Sequence, residues 1–263
     1  MIISFIHWNP SPEIFSLSFL TIRWYGLLFT LGFITGYYII GWMMKKEKID
    51  IKLLDSLTTY MVISTVIGAR LGHVLFYQPM DYLAHPLDIL KVWEGGLASH
   101  GAAIGILTGL FLYSRKYKQP FLSTVDRIVV VTALAGCFIR LGNLMNSEIY
   151  GHETHLPWAF IFERDDMIPR HPTQIYEALG YLSIFFILLF KYKSGEILKP
   201  GRLLGWFLIL VFGLRFFVEF LKEPQVGFEQ NMLLNMGQLL SIPFILIGTW
   251  FLLRKPTQLF SSK

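Results

Sequence analysis

Apolar runs broken by short polar connections set the pattern of this chain. Seven stretches of roughly 20 residues, the length that crosses a hydrocarbon core about 30 Å thick, fall near 22–44, 58–77, 95–113, 121–144, 174–190, 203–221 and 233–253. The second, third and sixth carry ionisable residues inside apolar sequence. Between the second and third, residues 78–94 contain Pro79, Pro86 and several charges and read as a loop or interfacial segment. The longest polar connection, 147–171, holds two prolines and five acids (Glu148, Glu153, Glu163, Asp165 and Asp166). No internal repeat or low-complexity tract is visible. The pattern predicts an all-α polytopic membrane protein: one integral membrane domain over 1–263, about seven transmembrane helices, and a small extracytoplasmic cap near 147–171.

Composition narrows the picture further. The chain is 54% hydrophobic and 16% charged over 263 residues, with a mean hydropathy of +0.51, too apolar for a soluble domain of this length. A net charge of +5 would fit nucleic acid, but the basic residues cluster in short loops between apolar runs, so no nucleic-acid partner is expected. Fourteen of them lie in the 45–52, 115–118, 191–202 and 254–263 connections; only Lys91, Arg164, Arg170 and Lys222 lie in the alternate ones. The positive-inside rule then puts the N-terminus outside and the C-terminus in the cytoplasm. The first residues lack a basic start and are interrupted by Asn9-Pro10-Ser11-Pro12, unlike a cleavable signal peptide. Cys137, the one cysteine, excludes a disulfide framework within one chain and reads as a small core residue.

With that topology, the polar residues inside the spans share a depth. Tyr25, Arg70, His73, His100, Arg140, Arg215 and Glu219 all fall near the outer ends of five spans, within roughly 5–12 Å of the boundary at about 1.5 Å per residue. Asp126 and Arg127, near the opposite edge, read as interfacial anchors. Tyr and Trp at span ends, such as Trp24 and Trp93, read as belt residues.

The densest polar stretch is Arg140-Leu-Gly-Asn143-Leu-Met-Asn146-Ser-Glu148-Ile-Tyr-Gly151, at the end of an apolar run. A guanidinium in hydrocarbon costs several kcal/mol, which makes it a functional-site candidate by default; the plain alternative is an arginine snorkelling to the interface. Asn143 and Asn146 supply amide donors and acceptors, and Glu148 can pair with a cation or accept a proton. Arg215 and Glu219, four apart, face the same way and can neutralise each other. His100 sits beside Gly101 and Ala102, as either a packing histidine or a base. Arg70 and His73 read as supporting residues. His152 and His155 resemble a metal pair, but no third ligand is placed and no metal is expected; His171, before Pro172, reads as fixing the start of the fifth span. Several cations and a histidine in the outer leaflet fit a phospholipid head group.

The stretch R-x-G-N-x-x-N-x-E-x-x-G resembles the signature of the prolipoprotein diacylglyceryl transferases. Further blocks resemble that family in the same order: Arg23-Trp24-Tyr25-Gly26, Gly95-Gly96-Leu97-Ala98-Ser99-His100-Gly101, Leu156-Pro157-Trp158-Ala159, Arg170-His171-Pro172-Thr173-Gln174-Ile175-Tyr176-Glu177, and Arg215-Phe216-Phe217-Val218-Glu219. The resemblance implies a transferase that moves the diacylglyceryl group of phosphatidylglycerol to the lipobox cysteine of preprolipoprotein signal peptides. A thioether forms and glycerol phosphate leaves, with no cofactor and with membrane lipids as surroundings. A thiol only partly ionised near neutral pH calls for a base, and a departing phosphate suits the planar fork of arginine.

On that footing the expected catalytic residues are His100 as base, Arg140 as phosphate clamp, and Glu148. Asn143, Asn146, Tyr25, Gly151, Arg215 and Glu219 are expected to bind the phosphatidylglycerol with Arg140. Glu148 and Glu219 would position the arginines, and Glu148 is the other candidate base. The sequence departs from the family at Val211, where a tyrosine is common, at Ala102, where a second glycine is common, and at Lys222-Glu223-Pro224-Gln225, where Arg-x-Pro-Asp is usual. A transporter for an anionic solute would place its polar groups near the midplane in related halves, and a lipid-binding scaffold would not need His100.

Overall fold

The computed structural model describes residues 5–17, 20–92, 95–223 and 232–255; Trp93, Pro224, Gln225 and Lys263 lie outside the described residues. The chain divides into two compact units, one of residues 1–39 with 126–263 and the other of residues 40–125.

The first unit contains the strands β1 (Ile6–Trp8), β2 (Glu13–Leu17) and β3 (Leu20–Arg23), then helix α1 (Trp24–Lys46), whose last residues belong to the other unit. Helix α5 (Phe121–Asn146) enters it at Asp126 and is followed by β4 (Phe160–Phe162), β5 (Pro169–Arg170), α6 (Thr173–Lys193), α7 (Arg202–Val218) and α8 (Met236–Leu253). Small residues set the helix register. A side chain at Gly32 would meet Ala135 at 3.4 Å and one at Gly36 would meet Val131 at 3.7 Å, so α1 and α5 run antiparallel. That register brings Tyr25, in the first turn of α1, against Gly142 near the end of α5. Between α7 and α8, Gly205 and Gly248 permit the same close approach, and Phe212 stacks on Phe244 with centroids 4.3 Å apart.

The polar connection after α5, expected to form a small cap, is partly a sheet. β4 pairs with the N-terminal β1 in parallel and with β5 antiparallel. Its buried face, Phe160 and Phe162, packs with Trp8 and Tyr150 on Leu144. The Trp8 indole donates to the Leu144 carbonyl at 2.9 Å, one of the carbonyls that a helix end leaves without an intrahelical partner. β2 and β3 form a hairpin in which Glu13 and Arg23 pair at 3.7 Å.

Two expectations change here. Asp126 and Arg127 are 0% and 7% exposed rather than interfacial. The Asp126 carboxylate accepts the backbone N–H groups of Gly201 (2.6 Å) and Leu204 (2.8 Å). It therefore caps α7 from another helix, satisfying donors that the helix start leaves open. Cys137, by contrast, is buried as expected.

The second unit pairs α2 (Lys52–Phe76) with α4 (Ser99–Lys116). Gly101, Gly105 and Gly109 on α4 lie against Gly72, Gly68 and Ser64 on α2; a side chain at Gly72 would fall 2.6 Å from the Gly101 Cα. Residues 78–94, expected as a loop or interfacial segment, contain a short helix α3 (Pro79–Ala84) and a 3-10 turn, Pro86–Leu90.

Among the described residues six helices are long and apolar enough to cross a membrane: α1, α2, α5, α6, α8, and α7 extended to Leu221. The third of the seven expected spans is present as α4. It begins at Ser99 instead of residue 95, and its 18 residues carry His100 at one end and Arg115-Lys116 at the other. Its apolar section is correspondingly short, because glycines chosen for close packing contribute little hydropathy.

Candidate active site

The polar stretch at the end of α5 folds back on its own helix. Leu144 accepts the N–H of Ser147 and Asn143 that of Glu148, both at 3.0 Å. Ser147 and Ile149 then adopt positive φ (55° and 59°). A β-branched residue in that region is strained and persists only where its surroundings hold it. Here the first turn of α6 does so: Gln174 Nε2 donates to the Glu148 carbonyl (2.7 Å) and Thr173 Oγ1 to that of Ile149 (3.0 Å). The turn aims the Glu148 carboxylate at Asn143 Nδ2 (2.7 Å) and Asn146 Nδ2 (3.2 Å). Asn143, 5% exposed, accepts from Arg140 Nη1 at 3.2 Å through its other amide atom. One amide thus ties guanidinium to carboxylate.

Arg140 is also gripped from α6. Its Nε lies 3.0 Å from Glu177, whose side chain is fully buried, and the Tyr181 phenol faces the same guanidinium. Glu177 holds Lys222 Nζ at 2.9 Å, and Lys222, 3% exposed at its side chain, reaches Glu219 at 3.4 Å. Glu219 lies 4.0 Å from Arg215 Nε, an atom shielded from solvent with no hydrogen-bond partner among the described residues. The i, i+4 pair therefore does not simply close on itself, because Glu219 is shared with Lys222. Gly151 is buried where a side chain would strike the Leu221 carbonyl, His171 and Thr173; the residue lets the 148–151 turn bridge to Lys222. Gly142 leaves room for the Tyr25 ring, which a side chain there would meet at 2.8 Å.

So Tyr25, Arg140, Asn143, Asn146, Glu148, Gly151, Arg215 and Glu219 converge at one end of the first unit. His100 belongs to the second unit, exposed in the first turn of α4, with ring centroids 5.2 Å from Phe76 and 5.9 Å from Tyr77. Its helix start is secured by Arg70, only 3% exposed. The Arg70 guanidinium donates to the carbonyls of Ile89 (2.9 Å), Gly95 (2.7 Å), Gly96 (3.3 Å) and Asp88. Gly96 has φ +67° and its missing Cβ would lie 2.7 Å from Arg70 Nη1, which explains a glycine at that position. His73 stacks on Tyr77 at 5.4 Å. Arg70 thus holds the loop that precedes α4.

In the cap, Arg170 donates to Asp166 (2.6 Å) and Glu223 (2.6 Å) and lies 4.9 Å from the centre of the Tyr150 ring. The Arg170 hydrogen bonds hold the Asp166 carboxyl below the usual carboxylate range. His152 and His155 each face a single carboxylate, Glu223 at 3.8 Å and Glu153 at 3.9 Å. Among the described residues no group of three His, Cys, Asp or Glu side chains is arranged around a metal position.

A sequence profile described as prolipoprotein diacylglyceryl transferase matches residues 12–254. The chain belongs to that family. Proteins named phosphatidylglycerol–prolipoprotein diacylglyceryl transferase are similar over almost its whole length. One from Tolumonas auensis is 48% identical over 244 residues, 92% of this chain and 95% of the relative. One from Bacteroides fragilis is 47% identical over 260 residues, 94% of each. One from Chloroherpeton thalassium is 47% identical over 257 residues, 97% of this chain and 96% of the relative. Family membership sets aside the transporter and scaffold readings and makes the chain a multi-pass membrane transferase.

Within this transferase framework, Glu177 and Lys222 are the members of the charged cluster that the sequence did not single out as site residues. Each was in view only as part of a motif: Glu177 closes the Arg170–Glu177 block, and Lys222 opens the Lys222-Glu223-Pro224-Gln225 departure. Their 45-residue separation leaves no spacing signal, and only their juxtaposition in the fold reveals the pair.

Proposed function

We propose that this chain transfers the diacylglyceryl group of phosphatidylglycerol to the sulfur of the lipobox cysteine in preprolipoproteins. In the reaction the thiol loses its proton to a base. Its sulfur attacks the glycerol carbon esterified to phosphate, the carbon–oxygen bond breaks, and the new carbon–sulfur bond is a thioether. Glycerol phosphate leaves with the bonding electrons. The observation that carries this reading is the convergence of Arg140 and Arg215 at one end of a membrane-spanning helix set, in a chain of this family.

In this reading Arg140 clamps the phosphate and stabilises the charge that grows on it as the bond breaks. Its Nε edge is committed to Glu177 and its Nη1 to Asn143, so the guanidinium is oriented before the lipid arrives, which lowers the cost of binding. Arg215 is the second anion contact. Asn146 and Tyr25 orient the head group, Gly151 lets the Glu148 turn close around it, and Glu148 and Glu219 hold the cations in place. His100 is the base: it is exposed, at the head of its helix, and histidine is the side chain most often used as a general base. Glu148 already accepts two amide hydrogen bonds on one carboxylate oxygen, which engages it in holding the Asn143 and Asn146 side chains. The N-terminus lies outside and the C-terminus in the cytoplasm of a bacterial inner membrane, a placement supported by the distribution of basic residues.

The test is direct. The purified protein is incubated with phosphatidylglycerol and a peptide carrying a lipobox cysteine, and mass spectrometry is used to find the diacylglyceryl thioether. The thioether product is expected with phosphatidylglycerol and absent when the cysteine is replaced by serine. A thiol that stays unmodified with intact, membrane-extracted protein would overturn the proposal.

A further inference from the structure

We propose that Lys222 and Glu177 are positioning residues for this transfer, forming the bridge that sets Arg140 and Arg215 at a fixed spacing. The inference rests on the transferase reading above. Arg140, Glu177, Lys222, Glu219 and Arg215 form an unbroken series of alternating charges, with successive separations of 3.0, 2.9, 3.4 and 4.0 Å. Side-chain exposure along it runs 16%, 0%, 3%, 10% and 39%. The two carboxylates and the ammonium are thus the interior of the series, and the two guanidiniums are its accessible ends.

That order matters for an anion. Within the series three cations meet two carboxylates, and it is the arginines that are accessible to a phosphate. Glu148 stands beside the Arg140 end of the series, joined to the guanidinium through the Asn143 amide. Without Lys222, two buried carboxylates would face each other across the gap it fills. Each would draw its arginine inward or take up a proton, since an uncompensated buried charge is costly. Lys222 suits the task because a compact ammonium offers three donors and can serve two carboxylates at once. Its backbone is anchored twice: its N–H donates to the Glu219 carbonyl (3.3 Å), and it forms an isolated antiparallel bridge with Gly151. Gly237 on α8 leaves the room that the Glu219 carboxylate occupies, since a Cβ there would lie 2.5 Å from it.

Lys222→Met, Glu177→Gln, the double substitution and Lys222→Arg are compared with the unaltered protein in the phosphatidylglycerol and lipobox-peptide assay. The amount of membrane-inserted protein and its thermal midpoint are measured for each. Each of the first two is expected to lower kcat/KM at least about tenfold, the effect of a lost charge-assisted hydrogen bond, while Lys222→Arg retains most activity. The double substitution is expected to be no worse than the poorer single, because the two act through one contact. Full activity of Lys222→Met and Glu177→Gln beside an active unaltered protein would overturn the inference. So would single losses that multiply in the double, or that follow the thermal midpoint and are not relieved by Lys222→Arg. An unaltered protein that makes no thioether would instead sink the transferase reading itself.

Discussion

Arg140 hydrogen-bonds Asn143 through Nη1 and lies in ion-pair contact with Glu177, and the directed bond depends on the guanidinium plane. Lysine carries the same charge to the same depth but has no fork. Arg140→Lys is therefore expected to lower lipid-dependent turnover by about 10- to 150-fold, the worth of one charge-assisted hydrogen bond, and Arg140→Ala by more. A well-inserted Arg140→Lys protein of full activity would move the clamp to Arg215. For His100 the discriminating change is glutamine, which keeps hydrogen bonding but cannot act as a base near neutral pH. His100→Gln should cost about 10²–10⁴-fold in turnover with phosphatidylglycerol binding retained; near-normal turnover would return His100 to a packing role beside Phe76 and Tyr77.

At the scale of the elements, the cross-helix cap on α7 gives a stability prediction. Asp126→Ala leaves the Gly201 and Leu204 N–H groups without their acceptor, at a cost of about 1–3 kcal/mol per unsatisfied buried group. The thermal midpoint in detergent should fall, and an unchanged midpoint would show that the cap is dispensable. The Asp166–Arg170 pair gives one in pH. Arg170 lowers the Asp166 carboxyl in the folded protein, so the pair's contribution is present above the unfolded aspartate value and lost as pH falls through the folded one. The protection of amides over 150–170, relative to their intrinsic exchange rate at each pH, should fall in acid below about pH 4, the unfolded aspartate value. Asp166→Asn should exchange faster at neutral pH and show a weaker acid dependence. A cap whose exchange has the same pH dependence in both proteins would remove the pair from its stability. Neither pair was legible beforehand: Asp126 read as an interfacial anchor because its partners are backbone groups 75 and 78 residues away, invisible to any local pattern.

For the whole molecule, the basic-residue bias predicts sidedness. Reporter fusions after Lys46, Lys118 and Lys255 should read cytoplasmic and one near Asp166 external; a cytoplasmic signal at Asp166 would reverse the orientation. The sequence by itself determined the membrane class, the order of the spans and the family motifs. These follow from local composition and short spacings: crossing hydrocarbon is a property of each apolar run, and Asn143, Asn146 and Glu148 share one turn. It left the strands of the cap unseen, since β1 and β4 are three residues each and pair across about 150 residues of chain. Tertiary structure alone decided which charges are partners. Glu177 and Lys222 are tolerable in the interior only because α6 and the end of α7 bring a carboxylate and an ammonium to 2.9 Å, and a buried ion is stable only when its counter-ion arrives with the fold.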